Sequence, residues 1–474
     1  MTCLGLAGVS LAFSSSSAMN INSQVINELG FVRHILSMAH PAYGLAADQY
    51  VNDYEAAYAS ALQLVKMSDV IESAVPYVQF YLTALYDPHL NYRAQNLRAD
   101  QNIWAGWVVG WDGLEYKVKF VSSQASIGSV PPLHASLISC NDLPIADFLR
   151  ANIAPYLDRR LDLDAPREKA AMALSVRSGV VVLPASKNPQ SCTFEHANNE
   201  FTYPIRWRGM ARKDYEAVYE IPRGNFNVTV IGGVMNWVSV PSFIERPERV
   251  TSFLRRLDRI NESLPLVLDV RGNTGGNGMI GAHILTTLGL GSRQRAESLN
   301  RRAYWRVSTV GIHALEGRLS NLLANGGESE AYDWLRKVHG LMVAARREGK
   351  TWLIQPDFSS RLVIPSRTNV PKNPPSKVFV VTDRYCASAC LDFVRALKMN
   401  HSIIHVGHVT DAGSRYNDVA YVETPMGNRL SLPLKYWVTT EDPGTPLIPS
   451  RIFKGDIRNT ESLQQWMLAI AEEY

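Results

Sequence analysis

The chain has 474 residues, 46% of them apolar and 19% charged. That excludes gross disorder, supplies a substantial core and suits two to four domains. The net charge of only +4, without a dense Lys/Arg tract, argues against nucleic acid as a partner, and no run reaches the roughly 18 apolar residues of a membrane span. Cys3, Cys140, Cys192, Cys386 and Cys390 include no pair or Cys/His cluster with zinc spacing, so no metal site is expected.

Residues 1–18 read as a possible signal segment. An apolar run from Leu4 to Phe13 is followed by the small residues Ser14 to Ala18, with cleavage expected near Ser17-Ala18. The basic stretch that normally precedes such a run is missing, so a buried N-terminal segment is the alternative. Export points to a periplasmic or secreted protein, in which Cys140 and Cys192 could pair.

Residues 20–100 form a helical region. Val25, Leu29, Val32 and Leu36 recur at spacings of three and four, and Tyr50 to Met67 and Ile71 to Tyr86 give two more amphipathic stretches. Pro41 marks a break and Pro76 a first-turn proline. The region ends in Tyr86-Asp-Pro-His89. Pro88 biases Asp87 away from the helix, so His89 is expected on a loop, where a lone histidine is ordinarily a surface residue.

Residues 103–160 change to short strands: Trp104 to Trp111, Tyr116 to Val121 and Ala135 to Ser139. An Asn141-Asp142 turn and a short helix follow. The passage resembles the strand, Asn-Gly turn and short helix of a PDZ domain, with Asn-Asp in place of Asn-Gly. Such domains bind peptide ends by strand addition. Residues 161–215 read as a connector, with a short strand at Val180 to Leu183.

Residues 216–474 carry strand–helix–strand–helix–strand order, which favours a largely parallel sheet with helices on both faces. Asn227 to Val240 reads as a hairpin around Gly232-Gly233, and Arg246 to Ile260 as an amphipathic helix. Leu264 to Leu285 is strand, glycine-rich loop, helix. Gly276-Asn-Gly-Met-Ile-Gly281 satisfies a dinucleotide pattern literally, but no second strand with a terminal acidic residue follows, and a phosphate-binding Gly-Lys-Ser/Thr is missing. So many glycines then serve close approach of backbone amides to a ligand oxygen. Residues 295–370 give few clean patterns beyond helices near 315–325 and 328–348. A strand at Ile403 to Gly407 and a helix at Thr460 to Tyr474 close the chain.

The most informative stretch is Val378 to Leu397. A β-branched and aromatic run leads to Cys386-Ala-Ser-Ala-Cys390, then to apolar positions at helical spacing. Ser388 falls at the first helical turn, where unpaired amides and the positive end of the helix dipole collect. It either attacks a carbonyl, with the Ala389 amide stabilising the oxyanion, or merely caps the helix. Cys386 and Cys390 read as two small buried residues, with a local disulfide as the alternative.

Six passages fall together in one order. They are Tyr86-Asp-Pro-His89, the PDZ-like segment, Asn236 to Phe243, Val267 to Gly276, Cys386 to Cys390 and Val406 to Asp411. The set resembles the tail-specific (C-terminal-processing) serine peptidases, in particular the tricorn-core branch, over roughly residues 80–460. The resemblance implies an α/β fold with a ClpP/crotonase-like βαβ core, an N-terminal helical bundle and a PDZ-like β module.

It further implies a serine endopeptidase acting on polypeptide substrate without a cofactor. Ser388 would be the nucleophile, and Gly275, Gly276 and Ala389 would form the oxyanion hole. The lysine that many members carry some 25 residues after the serine is replaced by Gly413, and Lys435 has no motif support. The other branch uses the histidine of the Asp-x-His passage, here His89, oriented by a glutamate just before a proline. Thr445 stands at that position, leaving Glu441, Asp442 or no carboxylate to orient His89, with Glu441 the first choice. A catalytically weak or inactive peptide-binding homologue is the alternative reading.

Overall fold

In the computed structural model the described residues run from 20 to 473, apart from 46–47, 96–101, 125–127, 178–181, 220–224, 258, 291–301, 327–329, 357–374, 376, 400–402 and 439–443. The expected signal segment lies outside them, as do Val180 and Val181 of the expected Val180 to Leu183 strand, whose described residues Val182 and Leu183 are not in a strand.

The helical spacing of the first stretch becomes α1 (Ile21–Ala39), capped by the Asn20 side chain and burying Val25, Leu29, Val32 and Leu36. It stops at His40 because the following Pro41 disfavours a helical residue before it. Next come α2 (Asp48–Lys66) and α3 (Val75–Thr83), which has proline in its first turn, and then β1 (Asn91–Ala94). The apolar faces of these helices share one core with two later helices and an antiparallel sheet.

Between residues 107 and 204 lies a second layer. Its strands are β2 (Trp107–Trp111), β3 (Tyr116–Val121), β4 (Ser136–Cys140), β5 (Ser191–His196) and β6 (Asn199–Pro204), in sequential antiparallel order. Asn141 and Asp142 both have positive φ, 48° and 60°, as a tight hairpin turn demands. The last two strands come from the stretch read as a connector. The edge strand β6 is exposed at every residue but Tyr203, so no buried-exposed alternation marks it. A disulfide joins Cys140 to Cys192, which face each other across β4 and β5.

The third layer is the sheet that carries the Ser388 stretch. The hairpin of β7 (Asn227–Ile231) and β8 (Met235–Ser239) leads through α4 (Pro247–Leu257) to β9 (Leu266–Asp269) and α5 (Gly278–Thr287). A separate antiparallel sheet then receives β10 (Arg302–Arg306) and β11 (Trp352–Ile354), with α6 (Thr309–Gly326) and α7 (Glu330–Arg347) between them. The chain returns through β12 (Val378–Thr382), α8 (Ala389–Lys398) and β13 (Ile403–Gly407). It then adds β14 (Tyr416–Glu423) and β15 (Asn428–Val438) to the antiparallel sheet, and ends with β16 (Arg451–Ile452) and α9 (Thr460–Glu473).

The Ser388 sheet has the order β7-β8-β9-β12-β13-β16 and is parallel from β8 onward. Alternate residues of its strands face opposite cores. Val238, Leu268 and Val380 pack under α4, α5 and α8, while Trp237, Val267, Phe379 and Val406 pack under α9. The mixed α/β architecture with helices on both faces is as the sequence implies.

The antiparallel sheet is the part the sequence hid. Its order is β1-β15-β10-β11, with β14 also on β15. The strand carrying Arg302, Tyr304 and Arg306 buries only Ala303 and Trp305, too short an alternation to stand out. This sheet matters because β1 pairs with β15 directly after His89.

Candidate active site

Every residue of β12 is buried, which fixes the strand in the sheet centre and sets where the chain leaves it. Asp383 then binds two loops together. Its carboxylate accepts the Gly272 N–H at 2.9 Å and the Tyr385 N–H at 3.0 Å. Burial nevertheless dominates and pushes its pKa up to about 6.

Ser388 immediately precedes α8, with φ 54° and ψ −124°. This conformation costs an L-residue on the order of 1–3 kcal/mol and persists only where the surroundings over-determine it. Its hydroxyl makes no capping bond to the helix, so the helix-cap role is not the one adopted. Cys386 and Cys390 form a disulfide that spans the serine, in place of the two separate thiols expected.

The glycine loop meets this turn at van der Waals limits. Gly275 has φ 94°, and a Cβ placed on it would lie 2.8 Å from both Ser388 Cβ and the Ala387 carbonyl oxygen, and 2.9 Å from Ala389 N. Only glycine permits that approach. Asn273, fully buried, holds the loop: its Nδ2 donates to Val240 O at 2.9 Å and its Oδ1 accepts the Gly275 N–H at 2.9 Å. The Gly275 amide is therefore occupied within the loop. Gly276 follows it, with its backbone bridged to Phe243, and Ala389 is the first residue of α8, where amides lack a helical partner.

Opposite Ser388 stands His89, in a turn between α3 and β1 and 299 residues away in the chain. Its Nε2 lies 3.5 Å from Ser388 Oγ. Ser431 of β15 donates its hydroxyl to His89 O at 3.2 Å, tying the loop to the antiparallel sheet. The ring is 17% exposed, open enough on one side for a substrate to reach.

Asp87 supplies the carboxylate beside it. Its Oδ1 accepts the His89 backbone N–H at 3.0 Å and lies 3.5 Å from His89 Nδ1. The ring nitrogen has no nearer partner, and a shift of a few tenths of an ångström closes this bond. Asp87 is almost wholly buried, and burial pushes its pKa up. Hydrogen bonds from His40 and His89 more than offset that, and they hold the carboxyl well below the usual range. It is a carboxylate at neutral pH.

Glu441 and Asp442 lie outside the described residues. Thr445 is exposed, in a bend. Lys435 is engaged elsewhere: it pairs with Asp418, bonds Gln355 Oε1 at 3.0 Å and sits over the Trp305 and Trp437 rings. Asp87 was legible in principle, since an Asp-Pro-His run places an extended carboxylate two residues before the imidazole.

A serine hydroxyl, an imidazole, a buried carboxylate and convergent amides are the parts of an acyl-transfer site. Residues 236–443 match the model of Peptidase family S41, so the chain carries a domain of that family, whose members are serine peptidases. Mature CPAF complexed with lactacystin has a similar structure, with TM-score 0.62 and 14% identity, covering 96% of this chain and 100% of that one. Mature CPAF alone gives TM-score 0.60 and 14% identity over 94% and 96% of the two chains. The fold is thus shared well beyond the matched domain. No curated protein matches the chain in sequence. Among the described residues no helix is long and apolar enough to cross a membrane.

Proposed function

We propose that this protein is a serine endopeptidase working through an acyl-enzyme, with Ser388 as nucleophile, His89 as base and Asp87 as the carboxylate that orients it. The observation that carries this reading is the 3.5 Å approach of His89 Nε2 to Ser388 Oγ between two separate sheets. Sites without substrate are often this loose and tighten when it binds.

Ser388 Oγ attacks the scissile carbonyl carbon while its proton passes to His89 Nε2. Asp87 faces Nδ1–H and stabilises the imidazolium. The oxyanion accepts hydrogen bonds from the Ala389 and Gly276 amides, while Gly275 provides the close approach. His89 then gives its proton to the leaving amine as the C–N bond breaks. Water attacks the resulting ester, its proton passes to His89, and Ser388 leaves with that proton restored. None of these steps requires a metal or cofactor.

The β module, whose residues 103–160 read as PDZ-like, would take an extended peptide segment by strand addition and feed it to the cleft. The Cys140–Cys192 and Cys386–Cys390 disulfides support an oxidising, periplasmic or secreted location. A fluorophosphonate probe tests the enzyme reading: it is expected to label the wild type and not Ser388→Ala. Equal labelling of both proteins overturns it. No labelling of the wild type, with peptide binding retained, favours an inactive peptide-binding homologue.

A further inference from the structure

His40 lies at the C-terminal end of α1 and is fully buried. Its backbone N–H donates to Leu36 O at 2.9 Å, so the residue is anchored to the helix end. Three polar groups meet its ring. The Ala42 backbone N–H points at Nδ1 from 3.2 Å, and the Tyr54 hydroxyl lies 3.0 Å from the same nitrogen. Asp87 Oδ2 lies 3.1 Å from Nε2.

These contacts decide where the proton is. A backbone N–H can only donate, so Nδ1 must present its lone pair, and the ring proton sits on Nε2. Burial keeps the Tyr54 hydroxyl protonated, with a pKa well above the ordinary one, so it can donate to Nδ1 as well. Nε2–H then donates to Oδ2 of Asp87. The two carboxylate oxygens are thereby divided: Oδ2 faces His40, while Oδ1 takes the His89 backbone N–H and faces His89 Nδ1.

We propose that His40 is a positioning residue for the peptidase site, its Nε2–H locking the Asp87 carboxylate so that Oδ1 stays turned toward His89. This rests on the reading of Ser388 and His89 given above and extends it to the N-terminal helices. Without the His40 donor, Asp87 has no partner holding Oδ2 among the described contacts, and the carboxylate can turn about its last torsion. A misplaced orienting group costs rate without weakening peptide binding, because it touches neither substrate nor reacting atoms. Displacements of about 1 Å at such sites cost up to about 100-fold.

The test compares two replacements of similar size on a peptide substrate. His40→Phe fills the space without a donor and is expected to lower kcat about 10-fold or more with KM unchanged. His40→Gln places an amide N–H near the former Nε2 and is expected to recover most of that loss. In an Asp87→Asn background, His40→Phe should add little. Equal rates for wild type and His40→Phe, or equal losses for Phe and Gln, overturn the proposal. A second measurement needs no variant: ¹⁵N NMR of the wild type should show His40 protonated on Nε2 with a bare Nδ1. A proton on Nδ1 overturns the proposal even if the variants fold poorly. Fluorophosphonate labelling of the wild type is run in parallel, so a wild type that is never labelled sinks the peptidase reading, and a labelled one with an indifferent His40 sinks only this one.

Discussion

The two halves of the site are built by different means. Ser388 sits on a strand–turn–helix unit in the centre of a parallel sheet, and its turn is clamped locally by the glycine loop, Asp383, Asn273 and a disulfide. His89 hangs from a loop between a helix and an antiparallel sheet, and its orientation depends on Asp87 and, behind it, on helices near the N terminus. In the proposed mechanism a strained nucleophile needs a rigid local frame, whereas an imidazole that shuttles a proton needs orientation and some freedom. The two buried aspartates reflect the same division: Asp383 is raised by burial, while Asp87 is held low by two imidazoles.

The comparison can be broken at several points. The largest effect is expected from Ser388→Ala or His89→Ala, each lowering kcat by on the order of 1,000-fold or more, with the double variant no worse than the poorer single one. Steady-state kinetics on the two singles and the double would check this; full additivity would mean the two groups do not work as a pair. Asp87→Asn comes next, at about 100- to 10,000-fold in kcat, because the amide cannot stabilise an imidazolium.

Gly275→Ala should cost about 100-fold or more in kcat, since the new methyl runs into Ser388 Cβ and two backbone atoms at positive φ. A melting curve would show the loss of stability that accompanies it. An alanine variant of wild-type rate would show that the loop is not held against the nucleophile.

The aspartates give opposite pH signatures. Asp87 is more acidic folded than unfolded, so the unfolded chain binds more protons. Its contribution is present above the ordinary carboxylate pKa and is lost as pH falls below about 4. Asp383 is less acidic folded than unfolded. Its contribution is present below about pH 4 and is lost as pH rises to about 6. Denaturation between pH 3 and 7 should therefore show Asp87→Asn flattening the acid limb and Asp383→Asn flattening the limb up to about 6.

The smallest expected effect separates the disulfides. Chain entropy assigns about 4 kcal/mol to a bridge over 52 residues and about 2 kcal/mol to one over 4. Replacing Cys140 and Cys192 by serine should lower stability more than replacing Cys386 and Cys390, whereas the latter pair should affect rate more.

The same division explains what the sequence disclosed. The Ser388 half rests on contiguous strand, turn and helix, so its elements and glycines were legible from periodicity alone. The hairpin at 227–239 and the helices from α1 to α3 were legible for the same reason. The antiparallel sheet was not, because β1, β10 and β11 are short, β14 and β15 show no clean alternation of buried and exposed residues, and the strands come from three distant stretches. His89 was reached through resemblance, and nothing local indicated that a loop 299 residues away would face the serine. The orienting carboxylate expected near residue 441 lies outside the described residues, whereas Asp87, the one proposed here, stands two residues from the imidazole. His40 carried no signal at all, since only the packing of α1 against α2 and the His89 loop brings it to Asp87.

The most direct measurement is the rate and site of fluorophosphonate adduct formation, read by intact mass and peptide mapping, in wild type and His89→Ala. The account expects a single adduct on Ser388 in the wild type, formed at least 100-fold more slowly once the imidazole is gone. An adduct on another residue, or one that forms on Ser388 equally fast without His89, would contradict it.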